Sequence, residues 1–404
     1  VASTAHVEFH ARVIAEKFIL RSLIDVSSEV IKSSYDETKD VFSVLNEAET
    51  GLFKITEGNI KKSYSTVKDA VAEAIEEIQK ASENKDGVSG VPSGFTDLDR
   101  LTSGWQRSDM IVLAARPAMG KTAMVLSMAR NAALDFGKGV AIFSLEMSNV
   151  QLTKRLIAME TGISSEKLKK GFTDEKDWTQ LHERINKLAE APIFIDDTPA
   201  LSIFELRAKC RRLKMQHNIE MVIIDYLQLM TAGLKSGNRE QEISMISRSI
   251  KEIAKELNVP IIALSQLSRS VETRGGDKRP MMSDLRESGA IEQDADMICF
   301  IYRPEYYGLM EDESGAPTAG VTEIIVAKHR NGGLDNVKLR FISELTRFVD
   351  FGAFDTMDYG NNASQMGVNN DFDAEGSNSG TYTVGSKMNN DDFTTNITDD
   401  EVPF

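Results

Sequence analysis

Apolar residues along the first 58 positions recur at intervals of three and four. The stretch "ARVIAEKFILRSLIDVSSEVIKSSYD" carries this spacing with polar residues between, which predicts amphipathic helices. A narrower stripe follows in "NIKKSYSTVKDAVAEAIEEIQKA", where Tyr64, Val67, Val71, Ile75 and Ile78 line one side of an otherwise charged helix. That stripe fits packing against its own domain and equally fits docking onto a neighbouring subunit, because the punctuated linker "SENKDGVSGVPSG" separates it from what comes next. From about residue 95 to 352 the pattern changes to short β-rich runs alternating with longer helical ones. The runs are "DMIVLAA", "GVAIFSLE", "APIFIDD", "MVIIDYLQLM", "VPIIALSQ", "DADMICFIYR" and "TEIIVAKHR". Near-continuous apolar strands separated by helices predict an α/β fold with a parallel sheet covered on both faces. Residues 353–404, rich in Asn, Asp, Gly, Ser and Thr, lack the apolar content to fold alone and are expected to be disordered. The expected divisions are therefore 1–58 helical, 59–94 linker helix and linker, 95–352 α/β, and 353–404 tail.

Charge changes this picture only in its location. The net charge is −15, but from Ala353 onward ten Asp and Glu stand against the single Lys387, so most of the excess sits in the tail. An overall acidic balance therefore does not exclude nucleic acid as a partner. The two cysteines, Cys210 and Cys299, fit a reducing cytoplasm without a disulfide framework, and we treat them, with Trp105 and Trp178, as packing residues. The five histidines have no metal-ligand spacing with cysteine, which argues against zinc. No apolar run is long enough to span a membrane, and no signal peptide is visible. The chain begins at Val1 within helix-like sequence and reads as part of something longer.

The chemistry starts at "AARPAMGKT", residues 114–122. A phosphate-binding loop of the form G-x-x-x-x-G-K-[ST] would place glycine where this chain has Ala115. The context repairs the match: the loop lies between a strand and a helix, so its backbone N–H groups and the positive helix end point at an anion. Arg116, Pro117, Ala118, Met119, Gly120, Lys121, Thr122 and Ala123 are the candidate nucleotide contacts. Lys121 would reach the β- and γ-phosphates, and the Thr122 hydroxyl would ligate Mg²⁺. Asp225, ending the buried run "MVIID", is the candidate second magnesium ligand. Glu146, after "VAIFSL", is placed to polarise an attacking water. Gln266, after "VPIIALS", is a neutral group able to sense a γ-phosphate. Each alone is ambiguous, since an aspartate can be a helix cap and the other two ordinary surface residues. Polar groups at successive strand ends, where an open parallel sheet binds its ligand, form a pattern.

These segments, with "GVPSGFTDLDRLTSGWQRSD", "ALSQLSRSVE" and "SDLRESGAIEQDADMICFIYR", closely resemble the DnaB family of bacterial replicative DNA helicases, in order and at family spacing over roughly 90–350. The family loop reads A-R-P-x-M-G-K-T, so Ala115 is no departure within it. The resemblance implies a RecA-like ATPase core, a homohexameric ring and ATP-driven translocation on single-stranded DNA, 5′ to 3′, with unwinding of forked DNA. It implies ATP and Mg²⁺ as ligands, primase and a helicase loader as partners, and a location at the replisome in the bacterial cytoplasm. Residues 1–58 are similar to the later part of the family's helical collar, whose front is absent. Lys121, Thr122, Glu146, Asp225 and Gln266 match its phosphate-binding, metal-binding, catalytic and sensor positions. Lys328 and Arg330 match the basic pair that reaches the γ-phosphate on the adjacent subunit; read without the resemblance, they are a solvated strand end or a DNA-phosphate contact. Arg286, Glu287 and Gly289 match the loop that holds the DNA backbone in the channel, with Glu287 orienting Arg286. A second basic loop, with Arg269, Arg274, Lys278 and Arg279, is either a further channel contact or a solvated surface.

The chain ends Asp399-Asp400-Glu401-Val402-Pro403-Phe404, similar to the acidic, Pro-Phe tip of bacterial single-stranded-DNA-binding proteins. It is either a tethered ligand for an apolar pocket with a basic rim or a solubilising tail. Two other classes differ at identifiable residues. A recombinase or clock-type ATPase would lack the "DLRESGAIEQDAD" segment and the collar; a scaffold that only binds nucleotide would be expected to have lost Glu146 or Arg330. The absence of a zinc-type cysteine cluster excludes a fused primase within these residues.

Overall fold

The computed structural model describes residues 5–36, 38–58, scattered positions between 67 and 79, 88–172, 174–231, 239–276, 278–285, 289–311 and 315–352. The acidic tail, Arg286, Glu287, and Tyr64 and Ile78 of the striped helix lie outside the described residues. Two helices open the chain, α1 (Ala5–Ser34) and α2 (Val41–Gly58). They pack together, and Glu47 accepts hydrogen bonds from Ser33 and Lys39 at 2.8 Å each. Ile14, Phe18, Ile24 and Ile31 of α1 remain exposed, as do Val67, Val71 and Ile75 of the stripe.

The α/β region begins with α3 (Thr96–Thr102) and is built on nine strands. These are β1 (Met110–Ala115), β2 (Val140–Ser144), β3 (Ile193–Asp196), β4 (Met221–Asp225), β5 (Ile261–Gln266), β6 (Met297–Tyr302), β7 (Val321–His329), β8 (Asn336–Ile342) and β9 (Arg347–Asp350). They form one sheet in the order β3-β2-β4-β5-β1-β6-β7-β8-β9. Helices between the strands are α4 (Lys121–Arg130), α5 (Asn149–Thr161), α6 (Ser165–Lys170), α7 (Glu175–Ala189), α8 (Ile203–His217), α9 (Arg239–Leu257), α10 (Ser270–Thr273) and α11 (Gly289–Asp294).

Strand alternation decides which side chains each face buries. Ile111, Leu113 and Ala115 of β1 join one apolar cluster with α4 residues such as Met124 and Met128, whereas Met110, Val112 and Ala114 join a second with Ile243, Ile246 and Ile250 of α9. The same alternation runs through β4 and β5, so every central strand is apolar on both faces. The six strands from β3 to β6 pair in parallel, as the sequence pattern predicts. The last three, β7 to β9, pair antiparallel, and β8 and β9 add two strands beyond the seven expected. The cause is connection length. Only six and four residues separate β7 from β8 and β8 from β9, too few for the helical crossover a parallel pair needs.

Two packing assignments divide. Trp105, Cys210 and Cys299 are buried, and burial raises both thiols, Cys299 to about 12, so neither is a thiolate near neutral pH. Trp178 is half exposed on α7, with Phe172 edge-on to its ring at 4.9 Å and His182 stacked at 6.2 Å.

Candidate nucleotide site and the opposite edge of the sheet

Adjacent in space, β2, β4, β5 and β1 all run in one direction, so their carboxyl ends make one edge. The structure brings the loop after β1, Glu146, Asp225 and Gln266 together there. Ala115 is a regular strand residue, paired with Gln266 of β5. The tight turn the missing glycine would serve falls later: Ala118 and Gly120 take positive φ values of 65° and 95°. A side chain at Gly120 would be strained by that φ, and its Cβ would also lie 3.1 Å from Phe348, so this glycine is required. Helix α4 starts at Lys121, presenting its unpaired N–H groups to the loop.

Lys121 Nζ donates to the carbonyl of Ala115 at 3.1 Å and lies 5.9 Å from the Tyr226 ring centroid. Burial pushes its pKa down to about 8, opposed by the carboxylates of Asp225 and Glu146 and reinforced by Arg116. The Thr122 hydroxyl donates to Asp225 Oδ2 at 2.7 Å. Asp225 is almost fully buried, and burial raises its carboxyl, with the Thr122 bond and the charges of Lys121 and Arg155 acting the other way and Glu146 reinforcing the rise. An alcohol and a carboxylate oxygen held side by side are the hard donors that suit a magnesium ion shared with phosphates. The residues present therefore fit ATP and Mg²⁺. Glu146 is exposed, two residues past β2, in a bend held by reciprocal Ser144 and Met147 hydrogen bonds of 2.7 and 3.1 Å.

Arg155, on α5, escaped the sequence reading. Its charge acts on Asp225, and burial lowers its own pKa against the pull of Asp225 and Glu146. A lone arginine inside an amphipathic helix gives no signal in sequence. Arg116 is present in the loop, but its side chain is buried and turned away from the anion position. It donates to the carbonyl of Leu267 at 2.8 Å and to Glu272 at 2.9 Å, fastening the loop to the segment that follows Gln266.

Lys328 and Arg330 lie elsewhere. Because β7 is antiparallel to β6, its carboxyl end falls at the amino-terminal edge, with His329 opposite Met297 and Ile111 opposite the same residue on the other side. The Arg330 N–H donates to the carbonyl of Asp296 at 2.9 Å, and Asp296 N–H to that of Met110 at 2.9 Å. These cations and the phosphate loop thus flank opposite ends of β1, whose six residues span roughly 20 Å. Gly289 is the first residue of α11. In the second basic loop Arg274 pairs with Asp284, Arg279 pairs with Glu323, and Lys278 lies 5.4 Å from the Tyr307 ring centroid, whereas Arg269 is exposed. Most of that loop's charge is committed within the fold.

The model of the DnaB-like helicase C terminal domain matches residues 90–350. The replicative DNA helicase DnaB of Geobacillus stearothermophilus is 45% identical over 352 residues, covering 87% of this chain and 76% of that protein. The replicative DNA helicase DnaC of Bacillus subtilis is 44% identical, with 87% and 76% covered. Among solved structures, an isolated ATPase domain superposes with a TM-score of 0.66 at 42% identity, covering 71% of this chain and 99% of that one. A DnaB-like replicative helicase studied for its interactions with primase gives 0.69 at 38% identity, covering 87% and 80%. A loop, strand edge and sheet order that suit ATP, together with matches over most of the length at these identities, establish that the chain belongs to the DnaB family of replicative DNA helicases.

Proposed function

We propose that the carboxyl edge of β1, β2, β4 and β5 binds and hydrolyses ATP, and that Lys328 and Arg330 serve the corresponding edge of the next subunit in a homohexamer. The chain is an ATP-dependent replicative DNA helicase by family, and with that family go the RecA-like core and 5′ to 3′ travel on single-stranded DNA. Loop N–H groups between Arg116 and Ala123, Pro117 excepted, with the Lys121 ammonium, hold the phosphates. Thr122 and Asp225 would hold Mg²⁺, whose charge offsets that developing on the transferred phosphoryl group. Glu146 orients the attacking water and takes its proton, close enough to Arg155 and Lys121 for its charge to act on both. Gln266 hydrogen-bonds the γ-phosphate and passes its presence to Leu267, the residue the Arg116 side chain grips.

The observation that carries the reading is the separation of the two cationic sets across β1. Arg330 is far from its own phosphate loop, so the phosphate it serves belongs to another copy. Mixing tests it. Lys121→Ala and Arg330→Ala chains, each inactive alone, should regain hydrolysis when mixed, because some interfaces then hold an intact loop and an intact arginine. No recovery, with ring assembly unimpaired, counts against a shared site.

Arg286 and the backbone at Gly289 bind the DNA backbone without reading sequence, with Glu287 orienting Arg286, in keeping with a translocating motor. We assign residues 1–58 to a partial collar, 59–94 to a linker helix and linker, 95–352 to the motor and 353–404 to a disordered tail. Primase and single-stranded and forked DNA are partners by family, and a loader and a bacterial cytoplasmic location at the replisome complete the reading. No helix among the described residues is long and apolar enough to cross a membrane. We assign the acidic Pro403-Phe404 tip to an apolar pocket with a basic rim on such a partner. Deleting Pro403 and Phe404 should then lose that partner and leave hydrolysis intact; unchanged binding would refute the assignment.

A further inference from the structure

At the amino-terminal edge of the sheet, the last turn of α11 closes over the two cations. Lys328 Nζ donates to the carbonyls of Glu292 and Ala295 at 2.5 and 2.7 Å. Arg330 donates through one terminal nitrogen to the carbonyl of Gln293 and through the other to Asp296 Oδ1 at 3.1 Å. Cations at a helix carboxyl end meet both the unpaired carbonyls and the negative end of the helix dipole. Asp296 is the centre of this arrangement. It is 5% exposed, and its Oδ2 accepts the Met110 N–H at 2.8 Å and the Lys251 ammonium of α9. Its carboxylate is therefore fixed by β1 on one side and α9 on the other, with Oδ1 left for Arg330. Asp109 adds more negative charge 3.7 Å from Lys251; its carboxyl is raised to about 6 by burial and by Asp296. Arg330 is held along one edge only: 47% of its side chain remains exposed, and two of its five N–H groups are used here.

Helix α11 is short. Its six residues span about 9 Å, and the first is Gly289, the candidate DNA contact. Only a short stretch of chain thus separates the DNA position from the four acceptors that hold Lys328 and Arg330, at Glu292, Gln293, Ala295 and Asp296. We propose that Asp296 is a positioning residue for hydrolysis in the neighbouring subunit: its carboxylate, fixed by β1 and α9, anchors Arg330, while the carbonyls of Glu292 and Gln293 tie Lys328 and Arg330 to the helix that starts at the DNA contact. A shift of α11 on DNA is then carried directly to the two cations. The inference rests on the in-trans reading of Arg330 given above.

The test is the ratio of ATP hydrolysis with and without single-stranded oligo-dT, in the full chain and in Asp296→Asn. Asparagine keeps the shape and an acceptor for Met110 while removing the charge that fixes Arg330. Nucleotide affinity should be retained, and the stimulation ratio should fall about fivefold or more, the lower end of ordinary site-to-site coupling. A ratio equal to that of the unaltered chain overturns the inference, including the case where melting temperature and both rates drop together, which is the mark of a purely structural aspartate. A ratio of one in the unaltered chain overturns it as well. If the single variant does not fold because Lys251 loses its close carboxylate and keeps only Asp109 and the Ser108 carbonyl, Asp296→Asn with Lys251→Met removes the pair whole, and the same ratio decides. Arg330→Ala separates the two claims. If it hydrolyses ATP normally, the in-trans reading fails and takes the inference with it; if it is inactive while Asp296→Asn keeps the full ratio, the inference alone fails.

Discussion

The two ends of β1 carry similar residues under opposite conditions. At the carboxyl end, Lys121 is partly buried, faces Asp225 and Glu146 of its own chain, and has its pKa pushed down to about 8. At the amino end, Arg330 is half exposed, and its side-chain partners are one buried carboxylate and one helix-end carbonyl. On the function proposed above, the first set is complete within one chain, with a loop for phosphates, Thr122 and Asp225 for the metal and Glu146 for the water. The second has cations held in place with no phosphate-binding loop beside them among the described residues. If the second set serves the next subunit, as proposed, hydrolysis in one subunit depends on the position of its neighbour, which is what a ring motor requires.

The sharpest way to break the comparison is to remove each end separately. Arg330→Ala should lower kcat by about 10³–10⁵-fold, the usual value of an arginine supplied in trans, with nucleotide affinity nearly unchanged. Lys121→Ala should abolish nucleotide binding itself. Hydrolysis assays with fluorescent-nucleotide titrations distinguish the two, and a shared phenotype would erase the proposed division. A change in the core between the ends should spare the division. Leu264, fully buried in β5, should cost about 2–5 kcal/mol of stability on substitution to alanine, read as a lower Tm, with the ratio of DNA-stimulated to basal hydrolysis unchanged.

Protonation sharpens the contrast further. Free Lys121 loses its proton as pH rises through about 8, whereas phosphates bind the charged form. Binding above that pH therefore takes up a proton and weakens by up to about tenfold per unit. A nonhydrolysable ATP analogue should bind about tenfold less tightly at pH 9 than at pH 7, and a flat profile would show that the lysine stays charged throughout. The smallest expected effect is Glu272→Gln. It weakens the Arg116 grip on the segment after Gln266, costs below about 1 kcal/mol because Glu272 is exposed, and should change kcat a few-fold without moving Tm appreciably.

By itself the sequence determined the α/β class, the helical start, the position of the phosphate loop and the identity of the strand-end residues Asp225 and Gln266. Apolar periodicity and local turn chemistry act over a few residues, so they can be read along the chain. The loop was legible despite Ala115 because the conformational demand falls on Gly120. Only the tertiary structure decided the rest. The reversal of β7 places Arg330 at the edge opposite Lys121, and no local pattern records which way a strand points in its sheet. Nor does a lone residue announce its partners: Arg155 feels the charges of Asp225 and Glu146, Arg116 reaches Leu267 and Glu272, and Asp296 gathers Met110, Lys251 and Arg330. Those contacts join residues up to 186 positions apart, brought together only when the sheet closes.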